Sequence, residues 1–132
     1  MTNEFSAVAR HMQDRWAEAF ARKDWSGLAS LYTERPAFYG STPELHTDRS
    51  AVLAYLKALP ASLSDARYAT PDLLSLGPEC FAASGDVVFI NHGPSGELPL
   101  AFRMTQVFVR DGSGWRIAVH HASAKPGPLL GP

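Results

Sequence analysis

The sequence has 132 residues, of which 45% are hydrophobic and 19% charged, and its formal net charge is -1. That length fits one domain, expected to span 1–132, with enough chain to bury a substantial core. The balanced charge, with no Lys/Arg cluster, excludes a phosphate-tracking nucleic-acid groove and a polybasic membrane surface. The lone cysteine, Cys80, cannot close an internal disulfide and is expected to pack as a small hydrophobe. Glu4, Arg10, Asp14, Arg15 and Glu18 leave no apolar run of signal-peptide length, and nothing approaches the roughly 20 apolar residues of a membrane span. These features predict a cytoplasmic protein.

From about Asn3 to Lys23, Phe5, Val8, Ala9, Met12, Trp16, Ala19 and Phe20 recur at spacings of three and four, which predicts an amphipathic helix. Thr2 or Asn3 can cap its first turn. Asp24 reads as the cap of a short helix over Trp25–Tyr32, with Leu28, Leu31 and Tyr32 on its inner face. Pro36 follows, then a short strand at Ala37–Gly40 and a loop over Ser41–Thr47. Thr47 or Asp48 caps a third helix running to about Leu59, with Val52, Tyr55, Leu56 and Leu59 as its stripe and Pro60 as its stop.

Beyond Pro60 the period turns strand-like. Asp65–Leu76 predicts a strand at an edge or with a bulge, because Pro71 cannot donate to a ladder. Cys80–His92, Leu98–Arg110 and Trp115–Ala124 predict three more strands, with a bend at Gly85 and a final hairpin through Asp111-Gly112-Ser113-Gly114. Residues 127–132 predict a loose tail. Helices first and antiparallel strands after them predict an α+β domain with helices on one face of a sheet. Strands this long must twist and bend, which leaves a cup under the helices.

The hairpin from Phe102 to Pro126 carries Thr105, the Asp111-Gly112 turn, Trp115 and a closing His121-Ala122-Ser123. It is similar to the last hairpin of SnoaL-like domains of the NTF2-like superfamily, and it resembles the association domain of calcium/calmodulin-dependent kinase II. Asp24-Trp25 to Leu31-Tyr32, Phe38-Tyr39-Gly40 and the helix after Asp48-Arg49 follow that family's order of elements. The resemblance implies an NTF2-like cone, with N-terminal helices packed on the concave face of a strongly curved antiparallel sheet and a pocket between sheet and long helix. It also implies a homodimer. The superfamily holds isomerases, polyketide cyclases, dehydratases, transport factors and oligomerisation hubs, so fold alone names no reaction.

Alternation along the last strand groups Trp115, Ile117, Val119, His121 and Ser123 on one face. That face is the more apolar, so it is expected inside, with His121 as an inward histidine. A bulge at the His-His pair would place His120 there instead, and the choice stays open. Met104, Gln106 and Phe108 are expected to face the cup from the preceding strand, with Asn91 from the strand before it. The kinase association domain has arginine at the places of Gln106 and Asn91, which implies a neutral or weakly polar ligand here. Trp16, Tyr39 and Tyr55 are expected to line the helix and mouth sides.

No Cys-x-x-Cys, His-Glu-x-x-His, Gly-x-Ser-x-Gly, P-loop or Gly-x-Gly-x-x-Gly occurs, so no metal and no cofactor is expected. Asp24 and Asp48 read as caps, and Asp111, Glu44, Glu79 and Glu97 fall in turns or loops. Of the two carboxylates in strand-like runs, Asp72 and Asp86, Asp86 has the parity opposite to Asn91 and would face inward only with a shifted register. His121 is therefore the candidate general acid/base, since an imidazole with an ordinary pKa near 6.5 can exchange protons at neutral pH. Two readings stand. One is a small-molecule pocket, catalytic as an isomerase, cyclase or dehydratase or merely binding. The other is a non-catalytic oligomerisation or ligand-sensing module, with Val107, Val109, Ala118 and Ala122 of the outer sheet face in a subunit interface.

Overall fold

The apolar spacing at the N-terminus forms helix α1 (Thr2–Ala21), whose Phe5, Ala9, Met12, Trp16 and Phe20 are buried. The computed structural model describes residues 2–112 and 114–127, without the side chains of Thr2 and Asn3. The capping expected of those two side chains, and the tail from 128 on, lie outside the described residues. After α1 the chain turns through Lys23, at a positive φ of 56°. The Lys23 ammonium donates to the Leu63 carbonyl at 2.6 Å, tying this corner to the sheet.

Helix α2 (Trp25–Ala29) begins at Asp24, whose carboxylate accepts from the Gly27 N–H at 3.0 Å. The expected helix to Tyr32 stops short: Tyr32 opens strand β1 (Tyr32–Tyr39), which extends the short strand expected at Ala37 back through a buried Pro36. A two-residue strand β2 (Leu45–His46) interrupts the expected loop. Helix α3 (Arg49–Lys57) is capped by Asp48, which accepts from the Ala51 N–H at 2.8 Å. Strands β3 (Leu63–Tyr68), β4 (Asp72–Gly77), β5 (Cys80–Gly93), β6 (Gly96–Asp111) and β7 (Gly114–Ala124) follow. The expected Asp65–Leu76 strand is thus broken in two around Pro71, and both parts pair with the same edge of β5.

The sheet runs β2-β1-β7-β6-β5-β3, with β4 also on β5. Two expectations need correction. The sheet is mixed rather than wholly antiparallel, because β1 pairs with β7 in parallel. A short strand, one helix and the rest of the sheet separate β1 from β7, ample chain for the crossover that a parallel pair requires. Nor is the sheet strongly curled. The β5–β6 ladder runs from Cys80↔Val109 to Gly93↔Gly96 without a register shift, and Gly85 stays paired with Met104. Gly85 serves close approach instead of bending: a Cβ there would lie 3.3 Å from the Pro71 Cα.

α1 packs over β3 and β4, and α3 over β1. The core between them is aromatic. Phe81 is fully buried and stacks on Phe5 at 4.6 Å and on Phe108 at 5.0 Å. Among the described residues no helix is long and apolar enough to cross a membrane. Phe81→Ala is expected to cost about 3–5 kcal/mol of stability, read as a lower urea midpoint at unchanged slope. A loss below about 1 kcal/mol would contradict this packing.

Candidate functional site

The last strand does not alternate evenly. Phe108 pairs with Ile117 and Val107 with Val119, so Ala118 has no partner and forms a bulge. Such an insertion exchanges the two faces beyond it. Ile117 is buried before the bulge, and His120 and Ala122 are buried after it. The expectation of an inward His121 is therefore corrected. His121 is exposed on the outer face beside Tyr39, at 5.5 Å between ring centroids, and Ser123 shares that face. His120 is the inward histidine, only 2% exposed.

His120 meets groups from three other elements. The Tyr32 hydroxyl lies 2.9 Å from its Nδ1, and the Gln106 amide nitrogen 3.4 Å from the same atom. Phe38 stacks on the ring at 4.3 Å with the planes 9° apart, and Trp16 stacks more loosely at 6.1 Å. The Trp16 indole N–H donates to the Tyr32 hydroxyl at 2.9 Å. Gln13 donates from its amide to Gln106 Oε1 at 3.1 Å. The Gln106 amide also donates to the Tyr68 hydroxyl at 3.4 Å, and Tyr68 donates to Met104 Sδ at 3.2 Å. Gln13, Gln106 and His120 are all buried, and this chain supplies each with the partner that burial demands.

On the far side of His120 lies a cavity of about 70 Å³. Its wall is Trp16, Phe20, Phe38, Leu56, Phe89 and Ala122, among other apolar side chains, and no carboxylate lines it. Nδ1 is taken by the protein. Among the described residues no group bonds His120 Nε2, and the one buried, unpartnered side-chain nitrogen or oxygen is His46 Nε2. His120 Nε2 is thus open to the cavity. At the mouth, Tyr55 accepts from the Ser41 N–H at 2.8 Å and bonds Ser41 Oγ at 2.9 Å. Gly40 is required there, since a Cβ would collide with the Tyr55 ring.

The predicted residues divide accordingly. Trp16 and Tyr55 line the cavity. Gln106 and Met104 belong to the supporting network. Phe108 is stacked in the core, Asn91 sits at the far end of β5 opposite Leu98, and Tyr39 is 41% exposed. Sequence reasoning held His120 only as the alternative to His121, and it missed Phe38, Gln13 and Tyr68. Gln13 carried a signal, being a polar side chain four residues after Ala9 and three before Trp16 on the buried helix face. Among the described residues no group of three or more His, Cys, Asp or Glu side chains is placed to hold a metal ion.

Burial dominates the electrostatics. It raises the hydroxyl pKa of both Tyr32 and Tyr68 far above the usual value. It also lowers His120 from 6.5 to about 3, with the charge of neighbouring His121 as a smaller cause. Between those two values an unfolded chain takes up a proton that native His120 refuses, so its contribution is complete above about 6.5 and fades toward about 3. Urea unfolding of the wild type is expected to lose up to about 1.4 kcal/mol per pH unit more on acidification through this window than His120→Gln does. Equal slopes would mean that the native imidazole protonates freely.

The sequence pattern of the SnoaL-like domain family matches residues 9–126. None of the curated proteins matches the chain significantly. Among solved structures, a calcium/calmodulin-dependent protein kinase II association domain-like protein from Xanthomonas campestris has a TM-score of 0.82 at 20% identity, over 91% of this chain and 87% of its own. An NTF2-like protein with a cystatin-like fold from Novosphingobium aromaticivorans has 0.81 at 15% identity, over 94% and 84%. A protein from Catenulispora acidiphila in complex with S-DNPA has 0.82 at 13% identity, over 92% and 94%. At these identities it is the fold that is shared, and together with a family pattern covering most of its length it means that this chain belongs to the SnoaL-like domain family, with the NTF2-like fold.

Proposed function

We propose that this chain binds a compact, mainly apolar molecule in the cavity under α1, with one polar atom of that molecule held by His120 Nε2. The carrying observation is the open Nε2 of a buried, neutral histidine on an otherwise apolar wall. A few convergent polar groups in an apolar pocket are the usual form of a small-molecule site. The Catenulispora acidiphila protein, which shares the fold, was solved with a small molecule, and that supports reading the cup as a binding site.

Acid/base turnover, as an isomerase, cyclase or dehydratase, has weaker support. His121 is on the outer face, His120 stays unprotonated near neutral pH, and no carboxylate reaches the cavity. Proton transfer works best with a group whose pKa lies near the working pH. Binding, with the imidazole as a neutral hydrogen-bonding group, fits the geometry better. Size narrows the ligand: a dry hydrocarbon cavity that takes benzene measures about 150 Å³. A ring of benzene's size therefore fits this smaller space only with one edge seated in the Ser41–Tyr55 mouth.

Cyclopentanone is expected to raise the melting temperature more than cyclopentane, and His120→Leu is expected to erase that difference while hydrocarbon binding survives. At a hundredfold excess over Kd, binding adds about 2.7 kcal/mol. No shift with cyclopentanone up to its solubility would remove the proposal.

A homodimer through the outer sheet face is compatible with this reading. Val107 and Val109 are half-buried there, whereas Ala122, expected in the same face, lines the cavity. Light scattering is expected to give twice the chain mass, and a monomer at tens of micromolar would exclude the pairing.

A further inference from the structure

We infer that Trp16 and Tyr32 fix His120 in one tautomer, with its proton on Nε2, so that the cavity selects molecules offering a hydrogen-bond acceptor. This rests on the binding reading above and names the class of ligand. The argument is a count of hydrogens. An indole N–H can only donate, so the Tyr32 hydroxyl must accept from Trp16 at 2.9 Å. That hydroxyl has one proton, and its other partner among the described residues is His120 Nδ1 at 2.9 Å. The proton therefore points at Nδ1, which must be a bare acceptor.

A second chain of donors reaches the same atom. Gln106 Oε1 accepts from Gln13, which turns the Gln106 NH2 toward Tyr68 and toward His120 Nδ1, both at 3.4 Å. Tyr68 can accept from that amide because its own proton goes to Met104 Sδ. Amide orientations are assigned from their partners, but the indole end cannot be reversed. A proton on Nδ1 would set it against the Tyr32 proton and the Gln106 amide hydrogens in a dry site. A neutral imidazole with bare Nδ1 carries its hydrogen on Nε2, the nitrogen open to the cavity.

A ligand atom at that point must accept. Carbonyl, ether and similar oxygens qualify; a group that can only donate leaves two hydrogens facing each other. Tyr32 and Trp16 are thus positioning residues that act through His120 and touch the ligand's chemistry only by setting its polarity.

The test pairs two five-membered rings of opposite polarity, cyclopentanone as acceptor and pyrrole as N–H donor, with nitrogen-15 spectra of the His120 ring at pH 7. The wild type is expected to show an unprotonated Nδ1 and a protonated Nε2, and to bind cyclopentanone at least about tenfold more tightly than pyrrole. Tyr32→Phe with Gln106→Met removes both donors to Nδ1. That double variant is expected to show mixed tautomers and a preference reduced to about threefold or less.

A protonated Nδ1 in the wild type overturns the inference, as does a full preference kept by a double variant whose ring has changed tautomer. Should the double variant not fold, the wild-type spectrum and probe ratio decide: bare Nδ1 with the preference supports it, and equal binding overturns it. If Nδ1 is bare and neither probe binds, the selection falls together with the binding reading, while the tautomer assignment stands on the spectrum alone.

Discussion

Between Ile117 and Val119 the closing strand carries one residue more than the neighbour it pairs with. Because side chains alternate along a strand, that residue turns over everything beyond it. On the other side, β1 absorbs a larger irregularity: Tyr32 pairs with Ile117 and Ala37 with Val119. Tyr32 therefore enters below the offset and Phe38 above it, and both converge on His120, one by its hydroxyl and one by its ring. An evenly alternating β7 would put Val119 and His121 inside and leave Tyr32 and Gln106 without their shared acceptor. The whole interior arrangement of the site follows from this one unpaired position.

The same dryness that makes the interior hostile to charge makes its hydrogen bonds matter. A buried donor or acceptor without a partner costs about 1–3 kcal/mol, more than a satisfied one contributes. Gln13 from α1, Tyr32 from β1, Tyr68 from β3, Gln106 from β6 and His120 from β7 each use another as partner. Loss of one strands the next, so the network ties five elements into one relative placement rather than adding five independent contributions. Desolvation also keeps His120 neutral, which it must be for Nδ1 to accept from Tyr32 and Gln106.

The order of elements was legible because local chemistry announces it. Asp24 and Asp48 cap helices as their spacing suggests, Pro71 breaks an edge strand, and the long final strands read directly from β-rich runs between Gly-rich turns. The site was legible only in outline. Trp16 and Tyr55 were readable as aromatic side chains on helix faces turned inward. The Ala118 bulge was not, since alanine is at ease in a regular strand and no glycine or proline marks the spot. Face assignment beyond it follows from pairing with strands distant in sequence, and so do the exchanges of His121 for His120 and of Tyr39 for Phe38. Gly85 misled for a related reason: glycine in a strand signals either a bend or a close neighbour, and here the neighbour is Pro71.

The solved structures share the fold with this chain at 13–20% identity, so what distinguishes this chain must lie in particular side chains. In this chain the cavity's two ends differ in how easily they can change. At the back, His120 is stacked by Phe38 and bonded through a buried network, and any enlargement there would leave buried polar atoms unpartnered. At the mouth, the bonds between Tyr55 and Ser41 are made beside water, because Ser41 is exposed, and water can replace them at little cost. On the proposed binding reading, polarity would therefore be selected at the rigid end and size accommodated at the yielding end. On that reading a ligand larger than the cavity would displace the Gly40–Ser41 corner before it disturbed the histidine.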